Sequence, residues 1–255
     1  MPRWSERDRS IFNEREIHMS RPTTALTLAA TIPTTLSVSI AAAHGEGDIG
    51  LLLDGGRIVT AVANDETGAF DDIGERVFAG EIDFVSNVGD GPGFFTTDGA
   101  TLPAGFSAFD AGTTISYQTN GAIQSWNGSG FEATGNQLRQ ILIPNVVEIL
   151  SPTDGSTVDG FAYTYNGGDF DEHPDYAMAD ASTAGIFLWK IQFTALDASG
   201  SLIASSDEAW VVFNFGLSED EHEAALEFAE GAIPTPMTLA PLAGLGLAAT
   251  RRRRG

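Results

Sequence analysis

Along the middle of the chain, apolar residues come in short runs, often at every second position, and Gly, Asp and Asn punctuate them. An apolar run at 49–53 stops at Asp54-Gly55-Gly56, and a second follows at 57–62. Two short runs across such a turn predict a β-hairpin. Residues 77–85 place Phe78, Gly80, Ile82 and Phe84 on one side, the two-residue period of a half-buried strand. Residues 87–105 are rich in Gly, Asp and Pro and read as loop. Strands are predicted at 113–117 and 122–126, with Asn127-Gly128-Ser129-Gly130 as a turn. Pro144 interrupts the apolar segment 138–147, which predicts an edge strand or two pieces rather than one central strand.

Further on, residues 157–165 set Val158, Gly160 and Ala162 against Phe161, Tyr163 and Tyr165. Residues 166–180 read as an acidic, irregular loop. The clearest strand is 185–197, and the runs 203–206 and 209–215 are its expected antiparallel neighbours. Short strands at this spacing predict a mainly-β fold, an antiparallel β-sandwich or jelly roll. One C-terminal helix closes it. Ser218 precedes Glu219-Asp220-Glu221, with Glu221 in the capping-box position, and the helix ends at Gly231. The acidic first turn suits the helix dipole, and His222 within that turn reads as a surface residue.

The ends break the β pattern. Residues 1–18 are polar, mixed in charge and without an apolar period, as expected of an extension from an upstream start codon. Met19 opens a basic start, a mild apolar run over 25–43 and the small residues Ala41-Ala42-Ala43. These are the marks of a secretory signal peptide over 19–43. Cleavage after Ala43 would make His44 the first residue of a domain spanning 44–230. Residues 231–255 carry Pro234-Thr235-Pro236, an apolar run at 237–249 and then Arg251, Arg252, Arg253 and Arg254. A helical run of this length covers about 20 Å, short of the roughly 30 Å hydrocarbon core. The arginines are expected to stay cytoplasmic, which leaves the preceding domain outside.

This tail resembles the PEP-CTERM sorting signal. The resemblance implies an exosortase-type membrane enzyme as partner, reading Pro234, Pro236 and the block Arg251, Arg252, Arg253, Arg254, with the tail touching the membrane and signal peptidase acting at the other end. Thr235 stands where that family usually has Glu. The body is similar to exported bacterial proteins with the same tail, some of them under zinc-uptake-repressor control. That similarity is carried by Ala43-His44-Gly45-Glu46-Gly47-Asp48-Ile49, Arg76-Val77-Phe78-Ala79-Gly80-Glu81, Gly91-Pro92-Gly93-Phe94, Trp126-Asn127-Gly128-Ser129-Gly130-Phe131 and residues 205–214. It implies export and zinc biology. Where those relatives tend to carry His-x-His, this chain reads His173-Pro174-Asp175.

Charge narrows the partners. Residues 44–230 hold 4 basic residues against 31 acidic ones, a balance of −27. Such a surface repels nucleic acid and anionic lipid, so nucleic-acid binding is not expected. The chain has no cysteine, so a hydrophobic core alone must stabilise the exported domain.

Candidate chemistry gathers at two places. An N-terminal His44 would offer an α-amine and a ring nitrogen together, and with His173 such nitrogen donors suit copper. The loop Asp169, Asp171, Glu172, His173, Asp175 mixes carboxylates with an imidazole. That set suits zinc, and its carboxylates alone suit calcium. No Gly-x-Ser-x-Gly elbow and no phosphate-binding loop followed by Lys-Ser or Lys-Thr occurs. The leading expectation is an exported, surface-sorted, non-enzymatic β domain, a component of the surface or extracellular matrix. The second is a zinc- or copper-binding protein of extracytoplasmic metal handling. The third is a copper-dependent or carbohydrate-active enzyme.

Overall fold

The computed structural model describes residues 47–233, apart from 65, 66, 90, 100 and 143–146. The expected 1–18 extension, the 19–43 leader, His44, and Pro234, Pro236, Arg251, Arg252, Arg253 and Arg254 lie outside the described residues. The described chain begins with β1 (Asp48–Asp54), β2 (Arg57–Asn64), β3 (Ala69–Asp71), β4 (Val77–Glu81) and β5 (Phe94–Thr96). It continues with β6 (Thr114–Asn120), β7 (Gln124–Trp126), β8 (Phe131–Ala133), β9 (Leu138–Leu142), β10 (Val147–Leu150) and β11 (Thr157–Thr164). Then come β12 (Phe170–Glu172), β13 (Asp175–Met178), β14 (Gly185–Leu196), β15 (Leu202–Ser206), β16 (Ala209–Phe215) and the helix α1 (Glu219–Ala232).

The long strand β14 is the seam. Its first half pairs with β16 on one edge and β7 on the other, and its second half pairs with β15 and β6. Thirteen strands are joined in this way, along the path β11-β6-β14-β15-β2-β1-β5-β12 with β16, β4, β3, β7 and β8 branching from it. The three strands β10-β9-β13 make a second sheet. The result is a mainly-β, β-sandwich-like body with one helix near its C-terminal end. Most pairs are antiparallel, as the short connections require, but β1–β5, β15–β2 and β16–β4 are parallel. Parallel partners need long connections, and each of these pairs is far apart in sequence.

Burial explains why β16 is apolar from Ala209 to Phe213, with Asn214 its one polar residue. Val211, Phe213 and Phe215 point into the main core, while Trp210 and Val212 point the other way, into a smaller core under α1. A strand covered on both faces has no polar side to show. The helix supplies Ala225, Leu226 and Ala229 to that smaller core. Its start is held as expected: the Glu221 carboxylate accepts from the Ser218 N–H at 3.3 Å and from the Ser218 hydroxyl at 2.8 Å. Among the described residues, no helix is long and apolar enough to cross a membrane.

A buried polar chain ties the small sheet to the large one. Trp189 Nε1–H donates to Thr119 Oγ1 at 3.0 Å, and Gln140 Nε2 lies 3.5 Å from the same oxygen. Gln140 Oε1 accepts from the Tyr117 hydroxyl at 2.7 Å. All four residues are buried, so each polar group meets a partner inside the core rather than in water.

Three predicted elements differ. Residues 166–180 are not an irregular loop; they contain β12 and β13. Phe170 and Tyr176 anchor these short strands in the core, a tertiary gain that local composition does not display. Residues 87–105 likewise contain β5, whose Phe94 is buried among Tyr117 and Phe193. The strand expected over 77–85 ends at Glu81, because the chain turns back on itself through an Asp83 carboxylate that accepts from the Ser86 N–H at 2.6 Å.

Candidate metal centre

Strand register builds the first cluster. β5 lies between β1 and β12, with Phe94 opposite Ile49 on one side and Glu172 on the other. One residue further along this row, Asp48, Gly93 and His173 come level. Gly93 has no side chain, and the His173 ring fills the space: a Cβ built there would lie 2.6–2.8 Å from three ring atoms. The Gly93 N–H donates to Asp48 Oδ1 at 2.7 Å. That bond turns Asp48 Oδ2 toward His173 Nε2, 3.2 Å away. Asp171 precedes His173 by two residues and so shares its face; its Oδ1 is 2.8 Å from the same Nε2. Asp48 is buried, whereas Asp171 and His173 are partly exposed.

The donors Asp48, Asp171 and His173 all lie within 4.8 Å of one another. Two ligands of a tetrahedral zinc ion, each about 2.0–2.1 Å from the metal, sit roughly 3.3 Å apart. The 3.2 Å spacing to Asp48 is close to that value, while the 2.8 Å spacing to Asp171 is a hydrogen bond that an ion would replace. Two carboxylates with one imidazole fit zinc and its neighbours in the transition series. They suit calcium less, since it takes oxygen ligands. The adjacent Glu172 carboxyl is pushed above the usual carboxylate range by burial first and by the Asp171 charge second, with His173 opposing.

Asp169 and Asp175, expected to share this ion, are not members of the cluster. Asp169 Oδ1 accepts from the Thr97 hydroxyl at 2.6 Å. Asp175 opens β13 and pairs with Ile141 in the small sheet, because the His173-Pro174 step carries the chain from one sheet to the other. Asp48, which loop composition does not reveal, takes their place.

Across the same cleft stands a second cluster, Glu81, Glu219 and His222. The cleft encloses about 480 Å³, and the charged side chains among its described lining residues are the acids Asp48, Glu81 and Glu219. His222 is not a surface residue; it is 2% exposed. It occupies the buried stripe of α1 with Ala225, Leu226 and Ala229. The spacing i, i+3, i+4, i+7 is in the sequence and marks the inward face, but the run of acids around His222 hides it. His222 Nε2 is 2.9 Å from the Val212 carbonyl, which can only accept, so Nε2 carries the proton.

No protein-family model matches this chain, and no curated protein matches it either.

Proposed function

We propose that this protein is an exported, surface-sorted β domain that holds a zinc-class divalent ion in the cleft between β1, β12 and the start of α1. The role read here is holding the ion, at the cell surface or in an extracellular matrix, rather than turnover. One observation carries the metal reading: Asp48 and Asp171 converge on a single imidazole nitrogen, His173 Nε2, at 3.2 and 2.8 Å. The export reading is supported by the leader-like residues 19–43 and the Pro-Thr-Pro, apolar and arginine sequence that follows the helix.

Zinc uptake by the full-length protein, measured by equilibrium dialysis against chelator-buffered zinc with a calcium arm in parallel, tests the metal reading. His173→Ala is expected to lose one equivalent of zinc, and calcium is expected not to displace it. Equal zinc uptake by wild type and His173→Ala would end the reading. Cell fractionation tests export, and a protein retained in the cytoplasm with residues 19–43 attached would refute it.

A further inference from the structure

We infer that the cleft has a second divalent-ion position, made by Glu81, Glu219 and His222. The inference extends the metal reading of the same cleft, and its test separates the two.

His222 carries the argument. An imidazole that is 2% exposed needs partners for its polar atoms. The Val212 carbonyl takes the Nε2 proton, so in the neutral ring the lone pair lies on Nδ1. Nδ1 is turned into the cleft, and its nearest carboxylate oxygen, Glu81 Oε1, is 3.9 Å away. That separation exceeds a hydrogen bond. It accommodates an ion between the two atoms, since a pair of zinc ligands spans roughly 3.3 Å in a tetrahedral shell. An imidazole whose other nitrogen is tied to a backbone carbonyl is oriented and made more basic for this task.

The carboxylates come from rigid elements. Glu81 ends β4 opposite Asn214 of β16, and the Asn214 amide reaches Glu81 Oε1 at 3.4 Å. Asn214 is itself held by Leu217, whose N–H donates to Asn214 Oδ1 at 3.0 Å. Glu219 is the first residue of α1. A helix N-terminus alone repels a cation, and two carboxylates against that partial charge reverse the balance.

Charge across the cleft points the same way. The two clusters bring four carboxylates together, Asp48, Asp171, Glu81 and Glu219, with two histidines, and no lysine or arginine is among the described residues lining the cleft. One divalent ion matches half of the formal charge of those four carboxylates, and two match all of it.

The test is zinc stoichiometry of the full-length protein and its variants. Wild type is expected to bind two equivalents, His173→Ala one, and Glu219→Gln, Glu81→Gln and His222→Ala one each, with affinity at the second position falling on the order of tenfold or more. Glu81 and Glu219 are exposed, so their variants keep the test valid should His222→Ala fail to fold. The Nδ1 resonance of His222 is expected to shift as the second equivalent is added. One equivalent in wild type, lost in His173→Ala and kept in Glu219→Gln and Glu81→Gln, would overturn the second position and leave the first standing. One equivalent lost in both sets would mean a single shared ion and would also overturn it. No zinc in wild type would remove both.

Discussion

His222 on α1 donates its Nε2–H to the carbonyl of Val212 on β16, across 2.9 Å. This bond joins the helix to the strand beneath it and decides which ring nitrogen faces the cleft. Without metal, long-range proton–nitrogen correlation should show a proton on His222 Nε2. A dominant Nδ1–H form would contradict the arrangement.

Gly80 lines the cleft and Gly93 packs against the His173 ring at its edge, yet substitution should separate binding from stability. A Cβ at Gly93 meets the His173 ring at 2.6–2.8 Å, and that partly exposed side chain would be displaced from Asp48 and Asp171. Gly93→Ala should therefore keep the melting midpoint close to wild type while weakening zinc at the first position on the order of tenfold or more. A Cβ at Gly80 meets the Phe213 ring at 2.6 Å, and Phe213 is fully buried. Gly80→Ala should cost about 1–3 kcal/mol of stability. Urea denaturation and zinc titration of both variants check the contrast.

Thr119 is the junction of the polar chain through the core. Its hydroxyl oxygen accepts from Trp189 and lies within reach of Gln140. Thr119→Val keeps the shape but leaves the buried indole N–H without its acceptor. The expected loss is about 1–3 kcal/mol, read from chemical denaturation monitored by tryptophan fluorescence. A neutral result would show that the chain does not hold the two sheets together.

All four tyrosines, Tyr117, Tyr163, Tyr165 and Tyr176, are pushed above the ordinary phenol range, in each case chiefly by burial. In the unfolded chain they ionise near their usual value of about 10. A phenol whose folded-state value is raised contributes stability that is intact below about pH 10 and is lost as pH rises toward the folded value. The protein should therefore unfold in alkali above about pH 10. Ultraviolet titration should show phenolate appearing together with loss of the circular dichroism signal. Phenolate formed near pH 10 in a still-folded protein would be the contrary result.

The sequence by itself determined the class of fold and much of its order. The Asp54-Gly55-Gly56 hairpin, the split of 138–147 near Pro144, the long strand at 185–196 and the capped helix were legible because turn chemistry, the two-residue period and capping act within a few residues. Asp171 and His173 were legible as metal candidates by their closeness in one acidic segment, but that segment read as irregular loop, and only the structure puts them on one face at the end of β12. Tertiary structure alone decided the rest. β5, β12 and β13 are three or four residues long, and their stability comes from Phe94, Phe170 and Tyr176 reaching a distant core. Asp48 meets His173 only because the β1–β5–β12 register aligns segments more than a hundred residues apart on either side of Gly93. His222 faces inward because β16 is covered on both sides, so that α1 must turn its stripe, histidine included, onto Val212.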